Sequence, residues 1–217
     1  GARSQSQGAY LEARASFERV LELVPPADHQ RRWQAWLGRT DALARLGDRQ
    51  VRQQSVDALL ELAQYLGALH LAEAHYRKAM LLDSAGDYPA ALDEYHIAVS
   101  NARQSQALGL EARVMGMLVI CQNRLGDAAG AAATAQQALS KMNEVAEVDS
   151  VKALMNVAVN YVESGDLARA AQLHQEQAAI SLRLGDRGSR AGALTNLGYD
   201  YLCLGMYVAG REALEQS

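Results

Sequence analysis

Small and apolar residues recur along this chain at helical spacing, in units that repeat. After Gly86 the positions Ala91, Tyr95 and Ala98 stand at i, i+4 and i+7, one face of a helix. The same offsets pick out Ala13, Phe17 and Val20 after Gly8, and Ala131, Ala135 and Ala138 after Gly126. They pick out Ala170 and His174 after Gly165, and Gly210 and Leu214 after Gly205. On the other side of the turn, Leu154, Val157, Ala158 and Tyr161 recur one repeat later as Leu194, Leu197, Gly198 and Tyr201. A small residue five places after each glycine lets two helices approach closely. An antiparallel helix pair per unit follows.

The glycines set the period. Gly8, Gly47, Gly86, Gly126, Gly165 and Gly205 follow one another at intervals of 39, 39, 40, 39 and 40. A fixed interval of this size is the mark of a repeat array. Four are followed by aspartate: Asp48, Asp87, Asp127 and Asp166. Glycine takes the left-handed conformation that ends a helix, and the aspartate caps the next. The spacing predicts a lone helix over 9–23, then helix pairs over 28–46/49–66, 68–85/88–104, 107–125/128–144, 149–164/167–184 and 187–204/207–217. Pro25 and Pro26 close the lone helix, and Pro89 falls in a first turn, where its missing N–H does no harm. Gly185-Asp186 is half a repeat out of phase with Gly165 and reads as a turn between repeats. The Gly47 pair fits worst, because Arg52 occupies its small-residue position.

Composition agrees with helices nearly throughout: the chain of 217 residues has three prolines and is poor in isoleucine. A hydrophobic share of 49% argues against wholesale disorder. The net charge of −4 is mixed along the chain, with no basic block to suggest nucleic acid. The longest apolar run, Val114 to Cys121, is far short of a membrane span, and no signal peptide precedes the first helix. Cys121 and Cys203 have no metal-type spacing and read as reduced, mostly buried residues of a cytoplasmic protein.

The repeat pattern resembles the tetratricopeptide repeat (TPR) family across residues 8–217, most closely in Leu194-Thr-Asn-Leu-Gly-Tyr-Asp-Tyr-Leu-Cys-Leu-Gly-Met-Tyr-Val-Ala-Gly-Arg-Glu-Ala-Leu-Glu-Gln-Ser217. It departs in period, since the common TPR unit has about 34 residues. The longer unit is similar to those of kinesin light chains and bacterial regulators. Leu37-Gly-Arg-Thr-Asp-Ala-Leu-Ala-Arg-Leu-Gly-Asp-Arg-Gln50 and Leu184-Gly-Asp-Arg-Gly-Ser-Arg190 resemble the repeat region of bacterial signalling ATPases linked to nucleotide cyclase or transcription-activator domains. The resemblance implies an all-α fold, an α-α superhelix forming one solenoid domain over 1–217, whose first helices line a concave groove. The chain stops inside the second helix of a repeat, and its first helix lacks a partner; both suggest a piece of a longer array able to self-associate through uncapped ends.

Catalytic signatures are missing: there is no phosphate-binding Gly-rich loop, no His-Glu-x-x-His and no Gly-x-Ser-x-Gly. Of Asp93, Glu94 and His96 only the first and last share a helix face, so they do not make a metal site. No cofactor is expected. Trp33 and Trp36, at i and i+3, read either as an aromatic ligand wall or, preferably, as packing against the first helix and the Pro25-Pro26 corner. Groove positions carried over from the resemblance select Tyr76, Arg77, Arg113, Asn123, Lys152, Asn156, Thr195, Asn196 and Tyr199, with Arg124 and Glu163 also in the predicted lining. Asn156 and Asn196 hold the same position in successive repeats. They read as an amide ladder for an extended peptide backbone, or as bonds to a neighbouring helix. The expected function is a non-catalytic scaffold for a peptide, a protein or another domain of the parent protein. The alternative is a sensory-regulatory segment of a signalling ATPase that controls a linked cyclase or activator domain.

Overall fold

A computed structural model describes residues 2–46 and 49–217, and every regular element in them is helical. The described residues form two compact units, divided after Ser105. The first holds α1 (Ala2–Leu23), α2 (His29–Leu46), α3 (Arg49–Leu66), α4 (Ala68–Asp83) and α5 (Tyr88–Gln104). The second holds α6 (Leu108–Arg124), α7 (Ala128–Lys141), α8 (Glu147–Glu163), α9 (Leu167–Arg183), α10 (Arg187–Cys203) and α11 (Tyr207–Glu215), with a 3₁₀ turn at Met142–Glu144 after α7.

One device ends and restarts helices. At Gly126, φ is 79°, and the next amide, of Asp127, donates to the carbonyl of Gln122 at 2.9 Å. The Asp127 side chain then accepts from the Gly130 amide at 2.9 Å and caps α7. Asp127 thus satisfies an orphan carbonyl behind it and an orphan amide ahead. Asp87 and Asp186 do the same, accepting from Ala90 at 3.3 Å and Ser189 at 3.0 Å, and Asp166 caps α9 from Arg169 at 3.0 Å. At the Gly205 turn the backbone bond persists, Met206 to Tyr201 at 2.8 Å, while Met206 offers α11 no side-chain cap.

The predicted small residues sit where helices meet. Ala91, Ala131 and Ala170 are fully buried, and Tyr95 fills the core beside Ala98. Gly198 of α10 and Gly210 of α11 cross with so little room that a Cβ on Gly198 would lie 2.6 Å from Leu214 and 3.1 Å from the Gly210 carbonyl. In the second unit the core gathers Ala171, Ala178, Ala193, Leu194, Leu197 and Ala213, with Tyr201 packed against it. In the first, Trp33 packs with Leu59, Leu62, Ala63 and Ala74.

Some expectations need correction. Gly8 is no turn: it lies inside α1, which continues unbroken through it. Val20, placed in the buried stripe, is exposed. Cys121 is buried as expected, but Cys203, the last residue of α10, is exposed. Trp33 packs on α3 and meets His70 edge-on at 4.8 Å. It is Phe17 of α1 that occupies the space beside Gly38 on α2. The Gly47-Asp48 turn lies outside the described residues.

Two substitutions test the turn device by urea unfolding. Gly165→Ala, with open space around the site but φ at 81°, is expected to cost about 1–2 kcal/mol from backbone strain alone. Met206→Asp supplies the absent cap and is expected to add about 1 kcal/mol. An unchanged midpoint in both would show that these turns do not limit stability.

Candidate functional site

The groove positions expected in the first unit are held by neighbours. On α4, Arg77 pairs with Glu73 at 2.7 Å and with Asp41 of α2. Burial works against its charge, but the two carboxylates outweigh it and raise its pKa further. Tyr76 lies with its ring centre 6.3 Å from that of Tyr95 on α5. Arg52, the misfit at a small-residue position, comes within electrostatic reach of this group. Burial and then Arg77 lower its pKa, against Asp41 and Tyr95. Glu94, a sequence neighbour of Asp93 and His96, turns to α4 instead. It bonds His75 and Lys78, each at 2.6 Å, while Asp93 and His96 are exposed. Among the described residues no three His, Cys, Asp or Glu side chains group as metal ligands do.

In the second unit the candidates lie on α6, α8 and α10. Near the C-terminal ends of α6 and α8, Asn123 donates from its amide to Asn160 at 3.2 Å and to Glu163 at 2.5 Å. These three line an open cavity of about 410 Å³ with Arg124, Tyr161 and Ser164, floored by Ala128 and Ala132 of α7. Asn123 and Arg124, chosen from one repeat, and Glu163, chosen from the next, are thereby brought to one place. Arg113 faces Asp149 at 3.8 Å, and Lys152 is exposed near the start of α8.

The two ladder asparagines have different surroundings. Asn156 is only 7% exposed and packs against Gly116 of α6, where an added Cβ would lie 3.1 Å from its own Cβ. Asn196 is half-buried on α10, and its amide nitrogen lies 3.5 Å from Nε2 of His174 on α9. Asn156 thus packs on a neighbouring helix, and Asn196 lies within hydrogen-bond distance of one. The Thr195 hydroxyl donates to the Ala191 carbonyl at 2.9 Å, while Tyr199, 60% exposed, has a free ring surface.

Three polar features escaped the sequence reading. His174 and Asp200, 2% and 4% exposed, hydrogen-bond at 2.6 Å between α9 and α10. With the proton on Nδ1 shared toward Asp200, Nε2 is left to accept from Asn196, so one imidazole links two other side chains. Glu111 of α6 is buried and accepts from Lys141 of α7 at 3.1 Å. Asn160, which completes the cavity network, was hidden because polar residues on a helix look alike without their partners. One signal was available: Asn160 and Asp200 occupy equivalent positions in successive repeats, each five places before a turn glycine.

The sequence matches no protein-family model and no curated relative. Solved structures share its fold. BtubC (BKLC) from P. vanneervenii is 18% identical, with a TM-score of 0.71 over 100% of this chain and 89% of that one. A putative kinesin light chain from Podosopora anserina, with nearly identical TPR-like repeats, is 15% identical with a TM-score of 0.61, over 85% of this chain and 92% of its own. YrrB, described as a TPR protein with an unusual peptide-binding site, is 20% identical with a TM-score of 0.50, over 94% and 91%. At such identities the likeness is one of fold: the chain has the architecture of TPR-like helical-repeat solenoids. Among the described residues no helix is long and apolar enough to cross a membrane.

The Glu94 cluster makes a pH prediction. Burial would raise the Glu94 pKa, but hydrogen bonds from His75 and Lys78 and their charges hold it below its ordinary value of 4.5. Stability from this group is therefore present above that pH and lost as pH falls through the lowered value. Wild type and Glu94→Gln, unfolded in urea at stepped pH, should differ most near neutrality and converge in acid. A gap independent of pH would refute the assignment.

Proposed function

We propose that the chain is a non-catalytic scaffold that holds a peptide or protein segment against the first helices of its repeats. The observation that carries this reading is the cavity at the ends of α6 and α8. Once Asn123 has donated to Asn160 and Glu163, Asn123 retains an amide oxygen and Asn160 an amide nitrogen with no protein partner among the described residues. One acceptor and one donor side by side are what a peptide bond needs, whatever its side chain. Glu163 and Arg124 beside them add charge selectivity. In the same unit Lys152 and Tyr199 offer an exposed cation and an exposed aromatic face to a longer ligand. A fold neighbour described as peptide-binding supports the reading by analogy of architecture.

Tyr76 and Arg77 are assigned a smaller part. Arg77 is matched by two carboxylates, so a ligand reaching it must displace one of them. Asn156 acts by keeping α6 and α8 in register, and Asn196 through His174; both set the groove rather than touch its occupant directly.

The test is a screen of the purified chain against peptide libraries, read by fluorescence anisotropy, with an Asn123→Ala/Asn160→Ala double variant alongside. Two lost hydrogen bonds at about 1 kcal/mol each predict binding weaker by roughly 10–30-fold. Circular dichroism and urea unfolding confirm that the variant is folded. A peptide held equally by both proteins would move the site elsewhere.

A further inference from the structure

In the first unit, α2 and α3 enclose an open cavity of about 500 Å³, apart from every groove position discussed above. Pro26, His29, Trp36 and Tyr65 stand around it, and Ala58 and Leu62 supply an apolar base. Tyr65 is 72% exposed, and its ring centre lies 4.4 Å from that of His29. Trp36 accepts a cation already: the Arg39 guanidinium sits 5.1 Å from its ring centre. Trp33, one turn away, belongs to the core and leaves Trp36 as the tryptophan available to a ligand.

The charges around the cavity are unequal in what they leave free. Arg32, on the lining, donates to the carbonyls of Leu21 and Val24, both at 3.2 Å, so part of its charge is offset by the partial negative charge at the end of α1. Arg39 is held by Glu18 at 3.1 Å and by the Ser55 hydroxyl at 2.6 Å. Glu61, on the lining and exposed, has no ion-pair partner among the described residues. What remains is an unmatched carboxylate beside an aromatic wall over an apolar base. Cations bind aromatic faces through the ring quadrupole, and a nearby carboxylate adds to that attraction.

We propose that this cavity binds an organic cation on a short apolar stem, either a free quaternary ammonium compound or the ammonium-bearing side chain of a partner's modified lysine. The stem lies on Ala58 and Leu62, the cationic head faces Trp36 and Tyr65, and Glu61 supplies the counter-charge. A neutral or anionic ligand of the same shape gains nothing from Glu61. The site rests on residues of the first unit alone and stands independently of the peptide scaffold proposed for the second.

The experiment titrates the full chain with choline, with its uncharged isostere 3,3-dimethylbutan-1-ol, and with a short peptide carrying trimethyl-lysine. Binding is followed by tryptophan fluorescence and by calorimetry. Choline is expected to bind at least about tenfold more tightly than the isostere, in line with a desolvated cation–π contact. Tyr65→Ala and Glu61→Gln, both at exposed positions outside the core, are each expected to weaken choline about three- to tenfold. Tighter binding of the peptide than of choline assigns the cation to a partner protein, and the reverse order to a small molecule. Equal binding of choline and isostere, insensitivity to both substitutions, or no response to either cation at millimolar concentration would overturn the proposal.

Discussion

The fold depends on a two-sided junction in which a glycine and the residue after it serve two helices at once. The glycine reaches positive φ so that the next amide can turn back to a carbonyl five positions earlier. When that next residue is aspartate, its side chain also starts the following helix. A chain that reverses direction after every helix leaves many orphan backbone groups, and each uncapped end costs stability. Concentrating both repairs in two residues keeps the turns short. Short turns in turn force antiparallel neighbours into contact, which is why Ala91, Ala131, Ala170 and Gly210 are buried.

With helix crossings made by alanine and glycine, the larger side chains at these interfaces become the variable part, and several are polar. His174 with Asp200, Glu111 with Lys141, and Arg39 with Glu18 and Ser55 all lie between helices. A buried polar group left without its partner costs about 1–3 kcal/mol, so such pairs bind helix neighbours in one register rather than simply adding stability. Asn156 against Gly116 acts similarly through shape. Arg77 and Asn156, read from the sequence as groove positions, contact neighbouring helices in this way.

The surfaces left for recognition differ between the two units. In the second, an amide pair and a glutamate face a cavity of about 410 Å³ over alanines small enough to leave it open. In the first, four ring-bearing residues, Pro26, His29, Trp36 and Tyr65, border a cavity of about 500 Å³ with one carboxylate free of ion pairing. The amide cavity suits a hydrogen-bonding backbone, the aromatic one a cation.

Periodicity alone was enough to place the helices. Interval, small-residue position and aspartate cap are local properties, enforced by backbone sterics and by hydrogen bonds between near neighbours in the chain. At Gly8 the expected turn did not form and α1 runs through it, whereas the Gly205 turn forms without a side-chain cap. Nor could local rules choose among polar residues on a helix face. Asn123 and Asn160 are 37 residues apart, His174 and Asp200 are 26, and Arg77 reaches Asp41 across 36. Which of them faces solvent and which faces a partner is settled when helices pack, because a side chain's hydrogen-bonding role depends on what lies opposite. The repeat and its turns are written in short stretches of chain, whereas the polar groups left over for a ligand were selected only by contacts between distant ones.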